Sequence, residues 1–282
     1  MNFLLENFRS SSFLRDARHF QIATLSTLLF LLLLWSDFAP ALEVVVLTLS
    51  ATVATQFLFF KFLKIPSSDY RSPLITGLSL CLLFKTNLIW IYPLAGALAM
   101  ATKFLIRHKN KHLFNPANAA IVIALILLPN HVWVSPGQWG SAVWLGFALI
   151  SLAIIVLNCA GRADMALFFL GSWFFLIFAR AIWLGDPLTI PLHNMQSGAL
   201  LIFAFFMISD PMTTPDHRGG RFIFAFIVAA LAYVLQYEFQ SREAIFYALF
   251  FVCLTTPFID HFFKAQRYRW GIIPSKRQER KI

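Results

Sequence analysis

Apolar residues in this chain fall in blocks, at roughly 20–36, 42–60, 73–84, 88–106, 116–134, 141–160, 165–184, 197–209, 222–236 and 244–258. About 20 apolar residues cross the ~30 Å hydrocarbon layer as a helix, so the pattern predicts ten membrane-associated helices. The breaks between them hold the charges and turn formers, as in Ile65-Pro66-Ser67-Ser68-Asp69, Arg107-His108-Lys109-Asn110-Lys111 and Asp216-His217-Arg218-Gly219-Gly220-Arg221. Two blocks, 73–84 and 197–209, are too short to cross alone. Each begins with a serine at a helix-start signal, Ser72-Pro73 and Ser197-Gly198, and each ends in polar residues. They are the third and eighth blocks, offset by 125 residues. Halves with an odd number of spans are antiparallel, so the pattern predicts a 5+5 inverted repeat whose two short helices meet near the bilayer midplane.

Composition narrows the class. Of the 282 residues, 59% are hydrophobic and only 13% charged, about half the charged share of a soluble domain. Mean hydropathy is +0.71. Disorder and an ordinary soluble enzyme are excluded. The expectation is an all-α polytopic membrane protein forming one membrane domain over 1–282: an N-terminal segment 1–19, a ten-helix bundle 20–258 and a basic tail 259–282. The first long apolar run has no small-residue cleavage site after it, so a removable signal peptide is not expected.

The net charge of +10 would suggest nucleic acid in a soluble protein, but here the cations mark one side of the membrane. If the N-terminus is cytoplasmic and the breaks alternate, 20 of the 23 lysines and arginines fall on the cytoplasmic side. Only Lys85, Arg180 and Arg242 fall opposite. The positive-inside rule then places both termini in the cytoplasm, implies the bacterial inner membrane, and leaves membrane lipid as the surrounding partner. No nucleic-acid partner is expected. Cys81, Cys159 and Cys253 are far apart within apolar runs, which predicts buried free thiols and no metal site.

The most unusual segment is Ser209-Asp210-Pro211-Met212-Thr213-Thr214-Pro215-Asp216. Pro211 biases Asp210 away from helix, and an acid at membrane depth needs a cation, water or a polar ligand. Thr213 and Thr214 could hydrogen-bond a polar head group, while a plain helix end at the interface fits these residues equally well. Asn115-Pro116-Ala117-Asn118 reads first as a helix cap and second as a ligand contact. Arg15-Asp16-Ala17-Arg18 with Gln21 reads as an interfacial anchor, or as a polar patch beside a groove that could hold a quinone head group.

Together these segments resemble the RnfD/NqrB family of membrane proteins, found in the Rnf complexes and in the sodium-pumping NADH:quinone reductases respectively. Arg15-Asp16-Ala17-Arg18…Gln21-Ile22 is similar to the family's RDPR…Q start, and Leu74-Ile75-Thr76-Gly77-Leu78-Ser79-Leu80 to its ALVTGLLLAL helix. Phe114-Asn115-Pro116-Ala117 matches its FNPA segment. Phe205-Phe206-Met207-Ile208-Ser209-Asp210-Pro211-Met212-Thr213-Thr214-Pro215, followed by Gly220-Arg221, resembles its FFMATDPVTSP…GR segment, and Pro257-Phe258-Ile259-Asp260 its P-L-I-D ending.

The resemblance implies a ten-helix, urea-channel-like architecture with an internal inverted repeat. It also implies a subunit of an electron-transport complex that couples redox chemistry to cation movement beside membrane or periplasmic redox partners. Thr76, Gly77, Asn115, Asp210, Thr213 and Thr214 are the candidate cofactor-binding residues, for a non-covalent flavin (riboflavin or FMN) or a quinone; no catalytic residue and no metal ligand is assigned. Family members carry covalent FMN on a threonine in a D-x-S-G-A-T type segment after the fifth helix. Here the corresponding stretch, Pro129 to Gly140, has no threonine, so no covalent FMN is expected. Two other readings suit the same fold: a small-solute channel or transporter without a redox role, and a structural anchor for redox partners.

Overall fold

The computed structural model describes residues 16–35, 39–67, 69–109, 111–135 and 143–268, and side chains within all of these except Trp35 and 143–149. Helix falls within each apolar block. In chain order the elements are α1 (Ala17–Trp35), α2 (Leu42–Phe62), α3 (Arg71–Leu83), β1 (Phe84–Thr86), α4 (Ile91–Leu105), β2 (Arg107–His108), β3 (Lys111–His112) and α5 (Pro116–Leu127). The second part holds β4 (Val132–Val134), α6 (Val143–Ala160), α7 (Ala163–Leu184), α8 (Thr189–Met195), α9 (Gly198–Ile202) running into a π-helical turn (Phe203–Met207), α10 (Arg218–Tyr237), α11 (Ala244–Cys253) and α12 (Thr256–Phe262).

Among the described residues, four helices, α1, α2, α7 and α10, are long and apolar enough to cross a membrane. The number rises to six if each of two bent pairs is one span: α8 with α9 and its π turn, at 51°, and α11 with α12, at 52°. Large apolar side chains face outward on these helices, among them Phe30, Phe62, Phe175 and Ile182. Apolar surface on this scale requires a lipid environment. The chain is an integral, polytopic, helical membrane protein.

The local grammar of the sequence explains several boundaries. The Asn115 side chain accepts from the Asn118 N–H at 3.1 Å and Pro116 opens α5. Ser197 caps α9 in the same way. Gly161 (φ +63°) and Gly185 (φ +75°) occupy the left-handed region on either side of α7, where a β-carbon would be strained. The block at 116–134 is not one helix. Helix α5 stops at Leu127 before Pro129-Asn130, and the β-branched Val132 and Val134 pair instead with β1, Phe84 opposite Val134 and Thr86 opposite Val132. The block at 244–258 likewise bends between Cys253 and Thr256.

The bundle has two unlike ends. At one, β1 and β4 form a short antiparallel ladder, with Arg180 stacked over Tyr237 at 4.3 Å. The other gathers the starts of α1, α3, α5, α7 and α10, the β2–β3 ladder and α12, with most of the charged side chains. Between the ends, α2 packs along α4 and α7 along α10, while α1 meets both α3 and α6. Phe203 at the start of the π turn is fully buried against Phe169 of α7 and Phe246 of α11, ring centres 5.1 and 5.5 Å away.

Candidate functional site

The π turn decides where the site lies. Its one-residue excess closes the bond from the Ile208 N–H to the Phe203 carbonyl at 3.0 Å, and such turns recur at functional sites. It presents Phe205 and Phe206 to a cleft and ends the helix ahead of Asp210-Pro211. The chain then turns on Asp210 itself. One carboxylate oxygen, Oδ1, accepts the Met212 N–H at 3.0 Å, and the Asp210 carbonyl accepts the hydroxyls of Thr213 and Thr214 at 3.2 and 2.9 Å. The other oxygen, Oδ2, is left for neighbours from the first half of the chain: Asn115 Nδ2 at 3.4 Å and His112 Nε2 at 3.5 Å.

These groups form the polar end of a cleft of about 80 Å³. Arg18, Gln21, Ser72 and Thr76 also line it, while Ile75, Leu157, Phe205 and Phe206 form its apolar wall. An apolar slot with a few convergent donors at one end is the usual form of a small-ligand site. The donors here suit carbonyl or hydroxyl oxygens on an otherwise apolar ring.

Three of the sequence candidates, Thr76, Asn115 and Asp210, therefore share one cleft. The other three do not line it. Gly77 lies on the opposite side of α3 against α2, where a β-carbon would come within 2.7 Å of Leu49 Cδ2 and 2.9 Å of Thr52 Oγ1. The Thr214 hydroxyl is fully buried and turned back onto Asp210. Thr213 borders a second cavity, of about 270 Å³, on the charged end. Thr76 returns its own hydroxyl to the Ser72 carbonyl at 3.1 Å.

Two ion-pair clusters brace the cleft, and single-sequence reasoning assigned neither. Asp16 and Asp69 alternate with Arg18 and Arg71. Arg18 bonds Asp16 and Asp69 at 2.6 Å each, and Arg71 bonds Asp16 and Asp69 at 2.8 Å each. Burial pushes both carboxyls up, but the arginine hydrogen bonds and charges outweigh it and hold both below the ordinary carboxylate range. The second cluster centres on Asp216, which takes Lys111 at 2.7 Å and Arg162 at 3.4 Å. Asp260 supports it, accepting the Asp216 N–H at 3.0 Å and facing Lys111 at 3.3 Å. Arg221 closes the same end by bonding Asp164 at 2.6 Å. Burial, the largest influence, and neighbouring Arg221 lower Arg162 from its ordinary value. Among the described residues, no group of three His, Cys, Asp or Glu side chains could hold a metal ion.

The family match lies mainly in the second half of the chain. Residues 135–269 match the model of the NQR2, RnfD, RnfE family. That stretch contains the π turn, the Asp210 turn and α12, while Thr76, His112 and Asn115 lie outside it. The chain is similar to the D component of the ion-translocating oxidoreductase complex of Shewanella sediminis (strain HAW-EB3), 34% identical over 83 residues, covering 29% of this chain and 24% of the relative. The same component from Shewanella pealeana (strain ATCC 700345 / ANG-SQ1) is 29% identical over 130 residues, 46% of this chain and 36% of the relative. That of Alcanivorax borkumensis (strain ATCC 700651 / DSM 11573 / NCIMB 13689 / SK2) is 30% identical over 92 residues, 32% and 27% of the two chains. The matched stretches thus span about a quarter to a third of the length of these curated relatives.

Proposed function

We propose that this chain, a relative of the NQR2, RnfD, RnfE family, is a membrane subunit of an ion-translocating oxidoreductase complex, and that its cleft receives the head group of a non-covalently bound quinone. The observation that carries the reading is the convergence on one slot of Asp210 and Phe206, from the family-matching half, with His112, Asn115 and Arg18 from the other. A quinone head is a flat apolar ring with two carbonyls. Arg18, His112 and Asn115 can donate to such oxygens, and Phe205 and Phe206 can flank the ring. At about 80 Å³ the cleft is far smaller than the ~300 Å³ of a drug-sized ligand pocket, which favours a single ring over riboflavin or FMN. Coupling to cation movement, and redox partner subunits on the membrane or periplasmic side, belong to the same proposal.

The architecture we propose is ten spans in a 5+5 inverted repeat, one membrane domain with its bundle over 20–258, in a bacterial inner membrane. Its support lies in the packing. The neighbours α2–α4 correspond, five blocks on, to α7–α10, and α4–α5 to α10–α11. The short helices α3 and α9 occupy equivalent places, as broken helices do at the sites of inverted-repeat transporters.

Covalent FMN does not fit the residues present. The one hydroxyl between Pro129 and Gly140 is Ser135. It is buried, and its backbone N–H is tied to the Leu83 carbonyl at 2.7 Å, out of reach of an attaching enzyme.

The test is solvent extraction of the protein purified with its complex. Quinone should be recovered near one per chain, and any flavin should be released by acid. In D210N, Oδ1 still accepts the Met212 N–H, but an amide NH2 replaces the acceptor that faces His112 and Asn115. Quinone retention should fall about tenfold or more, as for loss of a charged hydrogen bond, with insertion unchanged. Equal quinone in wild type and D210N would overturn the cleft assignment, and flavin fluorescence on the denatured chain would overturn the non-covalent reading.

A further inference from the structure

The second cavity, at the charged end between β2–β3, the turn after Asp210 and α12, has a different chemistry from the cleft. Its floor is neutralised: the two carboxylates, Asp216 and Asp260, are met by Lys111 and Arg162. Its rim is not. His108, Lys109, His261, Lys264 and Arg267 all line the cavity and are exposed. Among the described residues, no carboxylate lies within ion-pair distance of Lys109, Lys264 or Arg267. The cavity, about 270 Å³, is a cationic cup large enough for a phosphate group with its glycerol.

An apolar track leads away from it. Phe251 and Leu254 of the α11 end, then Phe258 and Phe262 of α12, recur at three- and four-residue spacing and are all exposed, Phe258 and Phe262 at 70% and 78%. Within α12, the four-residue spacing puts Phe258 and Phe262 on one helical face. The chain bends by 52° between α11 and α12, and Phe258 and Phe262 stand next in sequence to Pro257 and His261, which line the cup.

We propose that this cavity is a binding site for the phosphate head group of an anionic phospholipid, whose acyl chains lie along the Phe251–Phe262 track. Cation-lined pockets at the ends of membrane helices attract anionic lipid head groups, with each lysine or arginine adding to the affinity. A free phosphate compound would share the cup but gain nothing from the phenylalanines, so the track selects lipid. The cavity adjoins the quinone cleft, sharing His112 and Met212 with it, but the proposal uses neither residue and does not depend on the redox reading.

Native mass spectrometry of the delipidated protein in detergent, titrated with phosphatidylglycerol or phosphatidylcholine, tests it. Phosphatidylglycerol should be retained and phosphatidylcholine should not. In K109A/K264A/R267A the retention should weaken at least about tenfold, and K264Q alone, altering one exposed side chain, should weaken it several-fold. F258S/F262S should also weaken phosphatidylglycerol, and soluble glycerol phosphate at millimolar concentration should not displace it. Equal retention of the two lipids, or no change in the cation variants, would overturn the proposal. Displacement by glycerol phosphate together with indifference to F258S/F262S would show a site for soluble phosphate compounds, overturning the lipid assignment.

Discussion

At the scale of single residues, the ion pairs that tie the start of α1 to the start of α3 carry a pH signature. Asp16 and Asp69 titrate below their ordinary value in the folded protein because Arg18 and Arg71 hold their charged forms against the effect of burial. A depressed carboxyl pKa stabilises the fold at every pH above the unfolded value, ~3.9, and that stability is lost as pH falls through the folded value. The melting temperature in detergent should therefore drop between about pH 5 and pH 2, and R71Q, which removes one of the two bridging guanidiniums, should flatten that drop. Parallel pH curves for the two proteins would show that the cluster contributes nothing to stability. Which of these residues could be read in advance follows from reach. The Asn115 cap, the Pro116 start and the helix stop ahead of Pro211 are local rules written within four residues. The bonds of Lys111 to Asp216, or of His112 to Asp210, join positions about a hundred residues apart, and no local pattern announces them.

At the scale of elements, close packing around α2 depends on what faces Thr48 and Thr52. Gly77 of α3 and Gly96 of α4 both abut this stretch. A β-carbon at Gly96 would lie 3.1 Å from the Thr48 carbonyl oxygen and 3.1 Å from Thr52 Cγ2. Small residues let membrane helices approach this closely, and dispersion contacts replace the hydrophobic drive that lipid removes. G96V should push α4 from α2 and cost about 1–3 kcal/mol, read as a lower melting temperature in detergent. A variant as stable as wild type would mean that the α2–α4 contact tolerates extra volume. The same packing shows why Gly77, singled out in the sequence beside Thr76, stands off the cleft. Successive helical residues point about 100° apart, so Thr76 reaches the cleft while Gly77 meets α2. Helix positions were legible from block length and hydropathy. The conversion of 132–134 to a strand was not, because a short β-branched run after a helix reads as its continuation until a partner such as β1 is known.

At the scale of the whole molecule, the two ends of the bundle carry different charge, and that difference argues for an orientation. Among the described residues, Arg18, Arg71, Lys111, Arg162 and Arg221, which the alternating reading places in the cytoplasm, meet at one end in the Asp16–Asp69 and Asp216 clusters, joining carboxylates from segments far apart in sequence. Lys109, Lys264 and Arg267 line the cavity beside them. The opposite end holds Lys85 and Arg180, the latter paired to Asp186 at 3.5 Å. Folding groups these cation-bearing breaks at one end of the bundle, the arrangement that the proposed alternating spans would give. Cations are retained on the cytoplasmic side during insertion. Reporter fusions after residue 64, after residue 111 and at residue 268 should therefore all report cytoplasm, and a fusion at residue 186 the other side. The fusion at 111 is the sharpest of these, because only two crossings, the short α3 and α4, separate it from 64. If 64 and 111 report opposite sides, α3 enters and leaves by one face, and the ten-span count fails. If all four report as expected while 268 moves outside on replacing Lys264 and Arg267, the charge asymmetry itself holds the C-terminal end in place.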